Sequence, residues 1–180
     1  MQRGTGLTAT KNCRGGNYPL DQKRGSRVQG IVELCLSTPL GPLTLVEEDG
    51  GITRLEWRSG KATQTKALSE AAAQLNAYFA GSRTGFDLPL APKVSDTQKA
   101  FLSALQRIPI GSTRTYGELA QELGLSAQGV GQLCGSNPIP ILIPCHRVLG
   151  QRSLGGYSGA GGIETKVWLL KHEHADGLLI

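Results

Sequence analysis

The residues of this chain with the clearest capacity for chemistry are adjacent: Cys145, His146 and Arg147. A cysteine acts as a nucleophile in its thiolate form, and nearby cations favour that form. Three prolines between residues 138 and 144 restrict the backbone that leads to Cys145, and branched apolar residues lie among them. This pattern predicts a stiff, extended and buried segment. Two interpretations of Cys145 remain open, an activated nucleophile or a small buried hydrophobic side chain, which is how most free cysteines behave.

The region around this segment is predicted to be mainly helical. Helices are predicted at residues 96–108, 115–124, 126–135 and 163–174. Asp96 is expected to cap the first helix, and Thr115 with Glu118 has the spacing of a capping box at the start of the second. Two short helices joined at Gly124 predict a helix-turn-helix, whose second helix commonly enters a DNA groove. A helical hairpin within a protein core is the alternative.

The second helix of this pair has small residues along one side: Ala127, Gly131 and Gly135. A major-groove reader usually offers long polar side chains to base edges, whereas small residues permit close approach to the narrow minor groove. Glycine costs a helix about 1 kcal/mol relative to alanine, so these glycines require an explanation by contact. The contact is either DNA or a tightly packed neighbouring helix.

The preceding part of the chain predicts a small antiparallel sheet with one packed helix. Strands are predicted at residues 28–36, 43–47 and 52–58, and a helix at 68–79. Asp49-Gly50-Gly51 is a hairpin signal, and Gly81 is suited to end the helix. Cys35 is expected in the sheet, and Trp57 and Phe79 are expected in the core.

Together these elements predict an α/β (α+β) fold with two domains. The N-terminal α/β domain spans 28–92, and the C-terminal domain with the helix-turn-helix spans 93–180. Residues 1–27 are rich in Gly, Thr, Arg and Lys and predict a flexible basic tail. The net charge of +5 and the pI near 9.2 favour a polyanionic partner.

The cysteines and the hydropathy pattern exclude several classes of protein. The four cysteines are irregularly spaced, which argues against a disulfide framework or a zinc ribbon and suits a reducing compartment. No apolar run approaches the roughly 20 residues that a membrane span requires, and the N-terminus lacks the apolar region of a secretory signal. We therefore expect a cytoplasmic protein, nuclear in a eukaryote, with no metal and no membrane partner.

Several motifs in the second half resemble one family. The hexapeptide Ile-Pro-Cys-His-Arg-Val at residues 143–148 resembles the active-site signature of the O6-alkylguanine-DNA alkyltransferases. The further motifs Thr115–Ala120, Gly135–Pro138, Gly155–Gly159 and Lys166–Glu173 occur in that family's order. The resemblance is strong over about residues 95–174, weaker over 28–94 and absent before residue 28.

The resemblance implies irreversible, single-turnover transfer of an alkyl group from O6 of guanine in DNA to Cys145. The base is first flipped out of the duplex through minor-groove binding by the helix-turn-helix. His146 would take the thiol proton through a water, and Glu173 would orient His146. Tyr116 and Ser158 are the candidate proton donors to the departing guanine.

The resemblance also implies the binding residues and the partner. The implied substrate-binding residues are Asn137, Val148, Gly155, Gly156, Tyr157 and Ser158, and the implied DNA-binding residues are Arg114, Thr115, Tyr116, Ala127, Gln128 and Gly131. Asn137 is expected to tie the helix-turn-helix to the active-site segment by backbone hydrogen bonds, and Arg147 is expected to be buried. The partner is double-stranded DNA containing O6-alkylguanine, no cofactor is implied, and a monomer is expected.

One position departs from the family pattern. The family usually has an arginine where this chain has Gln128, and that arginine fills the gap left by the flipped base. We expect weaker DNA affinity or slower base extrusion here, unless Arg114 or Arg152 compensates.

The alternative function is a catalytically weak, alkyltransferase-like protein that senses lesions in DNA. Such relatives lack the nucleophilic cysteine that this chain has, but the departure at Gln128 keeps this alternative open. A helix-turn-helix regulator of transcription is disfavoured by the small residues of the second helix. A cysteine protease is disfavoured because His146 adjoins Cys145, whereas protease partners normally come from distant segments.

Overall fold

The computed structural model of the protein describes residues 30–175. The predicted basic tail at 1–27 lies outside the described residues, as do the first two residues of the predicted strand at 28–36. The described chain separates into two compact units. The first contains residues 30–82 and 87–91, and the second contains residues 83–86 and 92–175.

The first unit is built on a three-stranded antiparallel sheet in the order β1-β2-β3. Its strands are β1 (Ile31–Thr38), β2 (Gly41–Glu48) and β3 (Gly51–Glu56). The predicted hairpin between β2 and β3 is confirmed, since Asp49 and Gly50 have positive φ angles of 52° and 85°. Two consecutive residues with positive φ form a tight turn whose twist matches that of the flanking strands.

One helix, α1 (Lys66–Phe79), packs against all three strands. It begins after Thr65, whose hydroxyl accepts a hydrogen bond of 3.1 Å from the backbone N–H of Leu68. Its buried face contains Leu68, Ala71, Leu75, Tyr78 and Phe79, which confirms the predicted helical spacing and the core position of Phe79.

One expectation for the first unit is corrected by the structure. Trp57 is half-buried and not in the core, because it follows the last residue of β3, where strand alternation no longer directs it inward. Cys35 is buried in β1, as expected.

The second unit is mainly helical, as predicted. Its helices are α2 (Asp96–Gln106), α3 (Tyr116–Leu123), α4 (Ala127–Gly135) and α5 (Gly162–His172), and its short parallel strands are β4 (Arg114–Thr115) and β5 (Val148–Leu149). The cap of α2 is Ser95, whose hydroxyl accepts a hydrogen bond from the Gln98 N–H. Asp96 lies in the first turn instead, so its predicted role as the cap is wrong.

Helices α3 and α4 pack against each other as the predicted helix-turn-helix. The capping box of Thr115 and Glu118 is confirmed at the start of α3. Gly124 ends α3 with a φ of 65°, a left-handed conformation that favours glycine, and Ser126 caps α4. Within residues 30–175, no helix combines the length and the apolar character needed to cross a membrane.

Candidate active site

The segment that leads to Cys145 is buried as predicted, but it is a compact turn and not an extended strand. The Ile143 N–H donates to the Ile139 carbonyl at 2.9 Å, and Ile141 has a φ of 71°. The Asn137 side chain closes this turn by donating to the Ile143 carbonyl at 2.8 Å and accepting from the Ile139 N–H at 3.0 Å. The expected backbone hydrogen bonds of Asn137 are therefore confirmed, and they explain why the prolines do not keep the segment extended.

The turn delivers Cys145 to the wall of a cavity of about 440 Å³. The predicted site residues that also line this cavity are Tyr116, Ala127, Gly131, Gly156, Tyr157 and Ser158. Cys134 and Gly135 of α4 complete the lining. Cys145 itself is only 4% exposed. The cavity thus brings the thiol together with the helix-turn-helix and with the loop before α5.

The two residues that follow Cys145, His146 and Arg147, form a buried hydrogen-bond network with Glu173. The Glu173 carboxylate lies 2.8 Å from His146 Nε2 and accepts bonds of 2.7 and 2.9 Å from Nε and Nη2 of Arg147. A third Arg147 nitrogen donates to the Ile108 carbonyl at 2.6 Å. Arg147 is buried as expected, and Glu173, which an isolated reading would place at the surface, is 4% exposed.

The ionisation of Glu173 determines the tautomer of His146. Although burial alone would raise it, hydrogen bonds from His146 and Arg147 bring the pKa of Glu173 down to about 2. An ionised carboxylate can only accept hydrogen bonds, so His146 Nε2 carries the proton. Burial lowers the pKa of His146, which keeps the ring neutral. His146 Nδ1 therefore holds a lone pair, and within the described residues it is buried without a hydrogen-bond partner.

The expectation that His146 and Arg147 act as cations and favour the Cys145 thiolate is wrong. The charge of Arg147 is balanced by Glu173, and His146 is neutral, so neither acts as a free cation beside Cys145. Burial raises the pKa of Cys145, while a hydrogen bond from Asn137 and the charge of Lys166 act in the opposite direction. A base that removes the proton is therefore required for thiolate formation near neutral pH.

Lys166 is the site residue that sequence reasoning missed. It is fully buried in α5, and its Nζ donates to the carbonyls of Val148 at 2.6 Å and Gly156 at 3.2 Å. Burial lowers its pKa to about 8. Its spacing from Leu170 and Glu173, four and seven residues later on the buried face of the helix, is the sequence signal that could have revealed it.

Tyr116 and Gly155 fit against each other at the cavity wall. Gly155 has a φ of 67°, and an added Cβ would lie 2.7 Å from the Tyr116 ring. Burial raises the pKa of Tyr116 to about 12, so its phenol remains protonated at neutral pH. Glycine is thus required at position 155 both for the backbone conformation and for close approach of the ring.

Comparison with known proteins agrees with this geometry. Residues 96–175 match the family profile described as "6-O-methylguanine DNA methyltransferase, DNA binding domain", and residues 31–92 match its "ribonuclease-like domain". The methylated-DNA--protein-cysteine methyltransferase of Methanosarcina acetivorans is 39% identical over 148 residues, which are 76% of this chain and 94% of that protein. This chain belongs to the 6-O-methylguanine DNA methyltransferase family.

A second methyltransferase and a solved structure are also similar to this chain. The constitutive methylated-DNA--protein-cysteine methyltransferase of Bacillus subtilis is 42% identical over 151 residues, covering 76% of this chain and 91% of that protein. The crystal structure of Mycobacterium tuberculosis OGT in complex with DNA aligns with a TM-score of 0.71 and 42% identity, covering 79% of this chain and 92% of that one.

The DNA contacts expected of this methyltransferase-family member lie on or beside the helix-turn-helix. Ala127 and Gln128 are exposed at the start of α4. At Gly131 and Gly135, an added Cβ would meet no atom within 4 Å, so the fold itself does not require glycine there. Tight packing against a neighbouring helix is therefore the wrong explanation for these two small residues.

Other predicted residues do not face the cavity directly. Thr115 is engaged in the capping box, and Arg114 forms an ion pair with Glu122. His146 and Glu173 are buried and do not line the cavity, and Val148 is buried with its carbonyl bonded to Lys166. Within residues 30–175, no group of three or more His, Cys, Asp or Glu side chains is arranged to hold a metal ion.

Proposed function

We propose that this protein repairs DNA by transferring an alkyl group, once per molecule, from O6 of guanine in double-stranded DNA to Cys145. The observation that carries the proposal is the position of Cys145 at the wall of the cavity, with a neutral, oriented imidazole following it in the chain. The names of the relatives supply the substrate class. A lesion sensor without transfer is not favoured, because the free thiol of Cys145 lines the cavity.

His146 is the base in this proposal. Its Nδ1 lone pair accepts the Cys145 proton through a bridging water, while Glu173 holds the proton on Nε2 and stabilises the imidazolium that forms. Arg147 keeps Glu173 ionised and in place. Burial raises the pKa of Cys145 and so favours the neutral thiol, and proton transfer to His146 is what forms the thiolate.

The alkyl transfer is a single displacement step. The sulfur of Cys145 forms a bond to the alkyl carbon as the bond from that carbon to guanine O6 breaks. The departing guanine takes a proton from Tyr116 or Ser158, of which Tyr116 is half-buried and protonated at neutral pH. The thioether product has no easy hydrolytic exit, which limits each molecule to one turnover.

Binding is assigned to the two walls of the cavity. The loop with Gly155, Gly156, Tyr157 and Ser158 would hold the flipped guanine, together with the Asn137 turn and the backbone at Val148. The exposed start of α4, with Ala127, Gln128 and Gly131, would enter the minor groove, where readout is largely independent of sequence. Arg114, Thr115 and Tyr116 would approach the phosphates.

The chemical test is mass measurement of the intact protein after incubation with a duplex oligonucleotide that contains O6-methylguanine. We expect the wild type to gain one methyl group and Cys145→Ala to gain none. Cys134→Ala is the matched control, because Cys134 is a second free thiol in the same cavity, and it should still gain the methyl group. DNA binding without any gain in mass would leave only a sensing function.

We also propose a cytoplasmic location, nuclear in a eukaryote, where the DNA substrate is found.

A further inference from the structure

An exposed ion-pair cluster lies on the surface of the helix-turn-helix. Glu122, in α3, accepts a hydrogen bond of 2.6 Å from Nη2 of Arg107, which follows α2. Its other carboxylate oxygen pairs with Nη1 of Arg114 in β4. One carboxylate is therefore shared by two guanidinium groups that come from separate elements.

The cluster is placed close to the proposed DNA-binding surface. Arg114 immediately precedes Thr115 and Tyr116, and Tyr116 lines the cavity. The side chains of Arg107 and Arg114 are 63% and 33% exposed, so an incoming phosphate can reach both of them. Their exposure also means that the pairing with Glu122 can be exchanged for another anion.

Guanidinium groups bind carboxylates and phosphates with the same planar hydrogen-bond geometry. A phosphate that approaches Arg107 or Arg114 must therefore replace Glu122 and also meets its negative charge. Because Arg114 is engaged in this way, its ability to compensate for the missing arginine at Gln128 is reduced.

We propose that Glu122 limits the DNA affinity of this protein by competing with backbone phosphates for Arg107 and Arg114. The inference rests on the proposed function, since it concerns binding of the same duplex. It assigns to Glu122 a role in setting affinity that is separate from the chemistry at Cys145.

The test compares Glu122→Gln with the wild type in binding to an undamaged duplex over a series of salt concentrations. Loss of a competing exposed ion pair predicts binding about two- to fivefold tighter at low salt. If one additional phosphate contact forms, the slope of log affinity against log salt steepens by about 0.9. Glu164→Gln, which removes another exposed carboxylate, from the first turn of α5, controls for net charge and should change affinity much less.

A double variant shows whether the guanidinium of Arg114 carries the effect. In an Arg114→Gln background, the gain from Glu122→Gln should shrink, because one of the two released groups is absent. Unchanged or weaker binding by Glu122→Gln would overturn the proposal, as would an equal gain from Glu164→Gln. Methyl transfer by the wild type is measured in parallel. Transfer without an affinity gain rejects only the role of Glu122, whereas a wild type without transfer rejects the proposed function.

Discussion

Replacing Glu173 with glutamine keeps the shape of the side chain and removes its negative charge. In the structure, the buried carboxylate accepts hydrogen bonds from His146 and from two nitrogens of Arg147. The substitution leaves the Arg147 guanidinium buried without a counter-ion. Breaking a buried ion pair by removing one partner costs about 3–5 kcal/mol.

The pKa of Glu173 gives a second estimate of how much its charge contributes to the free energy of unfolding. It falls from 4.5 to about 2 on folding, and each pKa unit corresponds to about 1.4 kcal/mol, so ionised Glu173 contributes about 3 kcal/mol to the free energy of unfolding. Because the folded pKa lies below the unfolded value, this contribution is fully present above about pH 4.5 and is lost as the pH falls toward 2. The contribution obtained from the pKa shift agrees with the cost of breaking the buried ion pair.

The assay is urea unfolding at a series of pH values, with Glu164→Gln as an exposed control on the same helix. At pH 7 we expect Glu173→Gln to be less stable than the wild type by about 3–5 kcal/mol, with the difference shrinking as the pH falls toward 3. The control should stay within about 0.5 kcal/mol of the wild type. Two results would refute the conclusion that Glu173 is ionised and stabilises the fold. One is a free energy of unfolding for Glu173→Gln within about 1 kcal/mol of the wild type at pH 7, and the other is a stability difference that does not depend on pH.

The same substitution should slow the chemistry. A glutamine amide can donate to His146 Nε2 and move the ring proton to Nδ1, which removes the proposed base. Loss of a general base typically costs about 10²–10⁴ in rate, measured here as the single-turnover rate constant at a temperature where the variant is folded. An unchanged rate constant would show that His146 does not act as the base.

Three further outcomes test other parts of the site. Gln128→Arg should tighten duplex binding and speed repair of duplex DNA. The control is Gln132→Arg, which adds the same charge at another exposed position of α4. Equal repair rates for both variants would contradict the role given to position 128. Gly155→Ala places a Cβ 2.7 Å from the Tyr116 ring at a positive φ, and should lower the free energy of unfolding by about 1–3 kcal/mol in urea titration. Lys166→Met removes a positive charge that lowers the pKa of Cys145, so the transfer rate at pH 7 should fall and recover at higher pH; a uniform loss at every pH would indicate a structural role only.

The features that were correctly predicted depend on residues close together in sequence. Asp49-Gly50 predicted the β2–β3 hairpin because both residues tolerate positive φ, and Thr115 with Glu118 predicted the start of α3 because a capping box spans one helical turn. The error at Asp96 was a shift of one residue to a neighbouring cap of similar chemistry. The ordered motifs around Cys145 are also sequence features, and they predict the family that the comparisons show.

The features that were missed depend on partners far apart in the chain. Arg147 and His146 meet Glu173 across 26 and 27 residues. Glu173 balances the charge of Arg147, and burial keeps His146 neutral, so neither is the free cation beside Cys145 that the sequence predicts. Lys166 likewise donates to the carbonyl of Val148, 18 residues earlier in the chain.

The amino-acid sequence is enough to identify the residues that can do chemistry, the start of most helices and strands, and the family of the chain. The protonation states depend on the fold, because burial and the nearest charged partner set a pKa, and neither is a local property of the chain. The dependence of the proposed Cys145 nucleophile on a base, and the position of the buried cation Lys166, are therefore properties of the folded structure.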